Sequence, residues 1–157
     1  IGFRSQFLTM TSGSGIMTHI FDHSGPVTTA VLAARQNGVL VSMVTGKSLA
    51  YALHALQERG RLFLDPNIQV YEGQIVGLHS RGNDLVVNPT KAKQLTNVRA
   101  SGTDEALTLS PPVKHTLEQA LEFIEEDELV EVTPESIRLR KKWLLEHERK
   151  RASRSAA

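Results

Sequence analysis

The chain has 157 residues, of which 40% are hydrophobic and 22% charged, and its formal net charge is +1. These values are typical of folded globular proteins and exclude an intrinsically disordered chain. The sequence contains no cysteine, which excludes a disulfide scaffold, a thiolate metal site and a cysteine nucleophile. Lack of cysteine also fits a reducing compartment, so we expect a cytoplasmic location.

We expect neither a signal peptide nor a membrane span in these residues. No apolar run approaches the roughly 18 residues that a membrane span needs, and the opening residues lack the pattern of a secretory signal. The sequence begins with Ile1 rather than with a methionine. We therefore expect a piece of a longer protein that does not contact a membrane.

The N-terminal residues predict one helix followed by one strand. Phe3, Phe7 and Met10 have helical spacing, and the glycine- and serine-rich residues 12–15 end the predicted helix over residues 3–11. Residues 16–21 then read as a strand. A helix followed by a strand is half of a small α/β unit.

The middle of the chain predicts mostly short strands. An apolar run at 39–44 is typical of a buried strand, and further strands are predicted at 61–64, 69–71, 74–79, 84–87 and 107–109. Residues 48–59 fit either a strand or a helix capped by Ser48, and we favour a strand start that becomes a short helix near Leu53. Short strands at this spacing indicate a small barrel or sandwich.

The C-terminal third combines two helices and a strand pair. Thr116 and Gln119 form the pattern of a capping box, which begins a helix that runs to about Glu125. Strands at 130–132 and 137–139 flank a turn, and a terminal helix is predicted from about Lys141. The apolar side chains predicted to form the buried face of the first of these helices are Leu117, Ala120, Leu121 and Ile124. The fold class is therefore α+β, with a β-rich, barrel-like core.

No catalytic residue and no metal ligand set is predicted from the sequence. Gly46, Lys47 and Ser48 imitate the end of a phosphate-binding loop, but Val41 stands where that loop needs its first glycine. The acidic run 125–128 lacks the alternate ligand spacing of a calcium loop. We expect neither a cofactor nor a metal in this chain.

The charges are strongly segregated along the sequence. Residues 118–135 hold eight acids and no base, whereas residues 136–157 hold eight bases and two acids. A second basic stretch falls within residues 81–99, and residues 88–105 have almost no hydrophobic periodicity, which is typical of a functional or a disordered loop. Basic segments of this kind favour contact with a polyanion. For the tail 138–157, a solvated C-terminus beside the acidic helix is an equal alternative.

Several motifs resemble one family of translational GTPases. Residues 2–15 resemble the last helix and turn of the ferredoxin-like fifth domain of elongation factor G. The remaining motifs resemble the C-terminal region of the ribosome-associated BipA/TypA GTPases: RQNGVL at 35–40, LQERG at 56–60, VYEGQIVG at 70–77, NDLVVN at 83–88, LTNVRA at 95–100, LEQALEFI at 117–124 and VEVTPESIRLRK at 130–141. The resemblance implies a remnant of the ferredoxin-like domain at 1–34 and the family's C-terminal domain at 35–157.

The resemblance further implies a function on the ribosome. The family's C-terminal domain contacts large-subunit rRNA and the acceptor end of A-site tRNA through a loop, and its members are linked to large-subunit assembly and stress adaptation. GTP and Mg²⁺ belong to the full-length family protein, whose GTP-binding domain has no counterpart in these residues. We expect a monomer whose RNA contacts lie in the loop 88–105.

Two sets of residues are the candidate RNA contacts. The loop set is Lys91, Lys93, Gln94, Asn97 and Arg99, and the second set is Arg138, Arg140, Lys141 and Lys142. Lysine and arginine supply affinity for phosphates, while asparagine and glutamine can read base edges. The alternative is a protein-interaction domain that uses its acidic helix and basic tail and makes no direct RNA contact.

Overall fold

The computed structural model describes residues 3–26, 35–93 and 107–156. In chain order, the elements are α1 (Phe3–Met10), β1 (Val39–Ser42), β2 (Gly46–Lys47), α2 (Ala50–Leu56), β3 (Gly60–Leu62), β4 (Gln69–Val70), β5 (Gln74–His79), β6 (Leu85–Val87), α3 (Leu117–Phe123), β7 (Glu128–Val132), β8 (Ile137–Lys141) and α4 (Glu146–Ala156). The predicted α+β class is confirmed.

Six of the strands form one mixed sheet. Its order is β6-β1-β5-β8-β7. The sixth strand, β3, lies on the same edge of β5 as β8: β8 pairs with Gln74 and Ile75, and β3 pairs with residues 77–79. All pairs are antiparallel except β1 with β6, which is parallel. Strands β2 and β4 form a separate two-stranded sheet. In the described part of the chain the six-stranded sheet remains open, so it does not close into a barrel.

The six-stranded sheet separates two hydrophobic clusters. Because side chains alternate between the faces of a strand, Leu40 and Val76 point to one face, whereas Val39, Val41 and Ile75 point to the other. Leu53 of α2 packs in the first cluster and Ala120 of α3 in the second. The sheet is thus covered on both faces, which explains why β1 is a continuous apolar run.

Helix α2 resolves the ambiguity at residues 48–59 in favour of a helix. Leu49 is its N-cap, and Ala52 and Leu53 are its buried residues. The predicted cap by Ser48 is wrong, because the buried Ser48 hydroxyl donates to Asp65 O at 2.9 Å and accepts from Ile68 N at 3.0 Å. The strand start predicted within residues 48–59 is also wrong, because β2 ends at Lys47 and α2 begins at Ala50.

Helix α3 begins where its capping box predicts. The Thr116 side chain accepts from Gln119 N, and the Gln119 side chain accepts from Thr116 N. The predicted buried face is only half right: Ala120 is fully buried and Ile124 packs on the second cluster, whereas Leu117 is 39% and Leu121 is 56% exposed. Only a narrow stripe of this short helix faces the sheet.

Two predicted strands are absent from the described residues. Residues 16–21 and 107–109 have extended or irregular backbone without a strand partner. Ile16, Ile20 and Phe21 are 80–91% exposed, so the apolar pattern that predicted the first strand meets no neighbour within the described ranges. The terminal helix begins at Glu146, five residues later than predicted.

No helix among the residues described here combines the length and the apolar character that a membrane span requires.

Candidate nucleic-acid interface

The loop set begins directly after a buried anchor at the end of β6. Pro89 is fully buried, and its carbonyl accepts from Leu49 N at 2.9 Å. The Asn88 carboxamide oxygen accepts from the backbone N and the hydroxyl of Thr90, at 2.9 and 2.8 Å, which closes a tight turn. Lys91 follows this turn. The chain therefore leaves the core at a fixed point.

The chain returns at a second anchor, the side chain of Gln57. Its amide nitrogen donates to Thr108 O at 3.0 Å, and its amide oxygen accepts from Ser110 N at 3.1 Å. Leu109, between these two residues, packs on the first hydrophobic cluster. One glutamine thus satisfies both a backbone donor and a backbone acceptor of the returning segment.

The two anchors lie at opposite ends of the same helix. Leu49 is the N-cap of α2 and Gln57 is its C-cap, a separation of about 12 Å along a helix axis. Helix α2 therefore holds the exit at Pro89 and the return at Thr108.

The predicted loop contacts are only partly described. Lys91 and Lys93 are both exposed. Gln94, Asn97 and Arg99 lie outside the described residues. The placement of the first two residues is compatible with the prediction.

The residues of the second predicted set differ in how far they are exposed. The half-buried Arg138 donates to Ser136 Oγ at 3.1 Å, and the half-buried Arg140 donates to Lys141 O at 3.3 Å. Lys142 is exposed, and its ammonium lies 5.1 Å from the centre of the Trp143 ring. Of these, Lys142 presents its charge most openly.

Lys141 does not belong in this set. Its side chain is 3% exposed, and its ammonium lies 2.6 Å from Asp84, 2.9 Å from Asp127 and 3.0 Å from Glu128. Burial lowers the pKa of Lys141, but hydrogen bonds and charges of these three carboxylates outweigh burial and raise the pKa above its ordinary value. An ammonium held in this way is inaccessible to RNA.

Arg35 completes the buried charge cluster. Its guanidinium forms a two-bonded pair with the buried Glu128, each bond 2.8 Å long, and stacks 4.4 Å from the centre of the Phe123 ring. Burial raises the pKa of Glu128, but the hydrogen bond from Arg35 and the charge of Lys141 hold it below its ordinary value. The carboxylates of Glu125, Asp127 and Glu128 lie together, with Arg35 beside Glu125 and Glu128 and Lys141 beside Asp127 and Glu128.

The phosphate-loop imitation at residues 46–48 does not form such a loop. Gly46 and Lys47 lie in strand β2, which pairs with β4. The hydroxyl of Ser48 is committed to the backbone of the segment before β4. These groups therefore cannot curl around a phosphate.

Neither Gln57 nor Arg35 is predicted from the sequence as a structural contact. Gln57 bonds to residues 51 and 53 positions away, and Arg35 bonds to Glu128, 93 positions away. Arg35 was visible only as part of a family motif. Contacts at these separations leave no local pattern that could have marked either residue.

The comparison with protein families decides what kind of domain this is. The family model described as "TypA/BipA C-terminal domain" matches residues 37–146. The chain belongs to the TypA/BipA family. The match covers β1 through β8 and both anchors of the loop. It also covers every member of the buried charge cluster except Arg35, namely Asp84, Asp127, Glu128 and Lys141. It concerns the family's C-terminal domain, so the chain is not the family's GTP-binding part.

Curated relatives agree with this assignment. The chain is 60% identical to a protein of Haemophilus influenzae over 99% of its own length and 25% of that protein. It is 59% identical to the Escherichia coli K12 protein over 99% of the chain and 26% of that protein. It is 56% identical to the Buchnera aphidicola protein over 98% of the chain and 25% of that protein. Each of the three is named large ribosomal subunit assembly factor BipA. The chain spans about a quarter of these relatives.

Proposed function

We propose that this chain is the ribosome-binding portion of a TypA/BipA factor, and that residues 88–105 contact large-subunit rRNA and the acceptor end of A-site tRNA. The observation that carries the proposal is the double anchor on α2, with Lys91 exposed just beyond the first anchor. A basic segment held at both ends loses less freedom on binding than a free tail. Lys91, Lys93, Gln94, Asn97 and Arg99 are the proposed primary contacts.

The second set supplies supporting contacts in this proposal. Arg138, Arg140 and Lys142 are at least partly exposed, and each can reach a phosphate after a change of rotamer. Lys141 is left out because it is buried.

The relatives' name, large ribosomal subunit assembly factor, supports the wider part of the proposal. The full-length protein would then be a cytoplasmic GTPase that binds GTP and Mg²⁺, acts as a monomer, and functions in large-subunit assembly and stress adaptation. Residues 1–34 would end a domain like the fifth domain of elongation factor G, and residues 35–157 would form the RNA-contacting domain. The start of the family match at residue 37 supports this boundary.

The test is binding to naked large-subunit rRNA and to ribosomes across a range of salt concentrations. In the variant Lys91→Ala/Lys93→Ala/Arg99→Ala, the slope of log affinity against log salt should fall by about two, because each phosphate contact on non-duplex RNA contributes about 0.7. The matched control is Lys47→Ala/Arg59→Ala/Arg61→Ala, which removes the same charge from exposed positions on β2 and around the start of β3.

The control separates a specific contact from a general effect of charge. We expect the control variant to keep the slope of the parent. If both triple variants lose the same slope, the loop holds no particular RNA site. If the parent itself binds ribosomes but not rRNA, and its binding is insensitive to salt, the protein-interaction function replaces the present proposal.

A further inference from the structure

Helix α4 is fixed on the body of the domain at its first turn. Glu146 N donates to the Glu72 carboxylate at 3.3 Å, and the Arg149 guanidinium donates to Trp143 O at 3.2 Å and to Leu144 O. Gly73, with φ of +85°, lies against Leu144, where an added Cβ would stand 2.6 Å from the Leu144 Cα. The start of the helix therefore has a defined position.

The side of α4 that faces the body can be read from burial. Arg149 and Ala152 are half-buried, whereas His147, Lys150, Arg151 and Arg154 are exposed. The exposed four follow the spacing i, i+3, i+4 and i+7, which places them on one face of the helix. That face is opposite to Arg149 and Ala152.

Within α4, this outer face contains basic and histidine side chains only. The two acids of α4, Glu146 and Glu148, lie on the flanks of this face by the same helical spacing. Glu146 pairs with Lys150 at 2.5 Å, but both side chains are substantially exposed, at 36% and 68%. Such an exposed pair is weak and gives way readily to a stronger anion.

We infer that the outer face of α4, formed by His147, Lys150, Arg151 and Arg154, is a further RNA-binding surface that contacts the phosphate backbone. This inference rests on the proposed function, because the polyanion within reach of a ribosome-binding domain is RNA. Protein interfaces need apolar or aromatic side chains at their centre, and this face has none. Arginine also suits phosphate geometry, since its guanidinium donates two parallel hydrogen bonds.

The dimensions of the face set the expected size of the effect. From Lys150 to Arg154 the helix rises about 6 Å, and the long side chains of its three permanent cations can meet phosphates along one strand. Three contacts contribute about two to three units of salt slope, depending on whether the RNA is single- or double-stranded.

The test is the variant Lys150→Gln/Arg151→Gln/Arg154→Gln, compared with Lys47→Gln/Arg59→Gln/Arg61→Gln. Glutamine is chosen because its helix propensity is close to that of lysine and arginine. Binding to naked large-subunit rRNA is measured across salt, and helix content by circular dichroism. We expect unchanged helix content, a slope lower by about two units, and no change in the control.

The α4 variant and the loop triple, measured side by side, distinguish failure of this inference from failure of the proposed function. If the loop triple binds like the parent but the α4 variant does not, the loop site fails and the α4 surface stands. An α4 variant with full helix content and the slope of the parent overturns the inference. If the triple variant loses helix content, Arg151→Gln alone should lower the slope by about 0.7, and an unchanged slope in that variant is equally decisive against it.

Discussion

The buried cluster around Lys141 and the exposed segment that begins at Lys91 place the same side chain in opposite surroundings. Lys141 is 3% exposed and bonded to three carboxylates, whereas Lys91 is exposed just after the turn at Asn88. A buried charge with partners is costly to disrupt, while an exposed one contributes little to folding. The comparison indicates that the first lysine holds the fold together and the second is available for a ligand.

The largest expected effect comes from breaking the buried cluster. Lys141→Met should destabilise the fold by about 3–5 kcal/mol, because it removes the ammonium that Asp84, Asp127 and the buried Glu128 share and leaves Glu128 with Arg35 and Glu125 N as partners. Urea unfolding measures this change. The matched control is Lys114→Met, whose side chain is 79% exposed and whose loss should cost no more than about 0.5 kcal/mol. Equal losses in the two variants would show that burial is not what distinguishes these lysines.

The cluster should also make stability depend on acid pH. The pKa of Glu128 is lower in the folded chain than its ordinary value of 4.5, so the stability that its charge contributes is complete above that value. It is lost as the pH falls through the lower, folded pKa. Unfolding by urea at pH 7 and at pH 3 should therefore show a smaller acid-induced loss in Glu128→Gln than in the parent.

The exposed Glu126 provides the control for this pH dependence. Glu126→Gln should lose as much stability between pH 7 and pH 3 as the parent does. If Glu128→Gln behaves in the same way as Glu126→Gln, the buried carboxylate does not contribute to acid unfolding.

A smaller effect is expected at the anchor of the exposed segment. Gln57→Ala removes two hydrogen bonds that hold residues 108–110, each contributing about 1 kcal/mol. We expect an rRNA affinity about fivefold lower with an unchanged salt slope, because the segment is less well positioned while no phosphate contact is lost. Gln69→Ala, at an exposed position of β4, should bind like the parent. A reduced salt slope in Gln57→Ala would mean that Gln57 does more than position the segment.

The smallest effect concerns the stability of the exposed segment itself. Lys91→Ala/Lys93→Ala should change the free energy of unfolding by less than about 0.5 kcal/mol, since exposed side chains contribute little to the core. Thermal unfolding of this double variant measures the change. A loss comparable to that of Lys141→Met would erase the difference between the two groups of lysines.

Local patterns predicted the elements whose ends are marked by turn or capping residues close in the sequence. Strand β5 has the predicted bounds, 74–79, because its long apolar run is bordered by turn residues. Strands β7 and β8 pair across the predicted turn, where Thr133 N donates to Ser136 O. The capping box of α3 joins residues only three positions apart.

Contacts between distant parts of the chain explain what the sequence did not reveal. Lys141 continues an alternating strand pattern and sits beside other bases, so nothing local distinguishes it from a surface lysine. Its partner Asp84 comes from another strand region, 57 positions earlier in the sequence. At residues 16–21 the local pattern is misleading in the other direction: it predicts a strand, but the exposed apolar side chains find no strand partner among the described residues.

Crosslinking the chain to naked large-subunit rRNA with ultraviolet light, followed by mass spectrometry of the peptides, tests the central claim most directly. We predict crosslinked peptides from residues 91–105, with additional ones from α4, and none carrying the crosslink at Lys141. Crosslinks confined to regions other than residues 91–105, or a crosslink at Lys141 in the folded chain, would contradict the assignment of residues 91–105 to RNA and of the buried cluster to the fold.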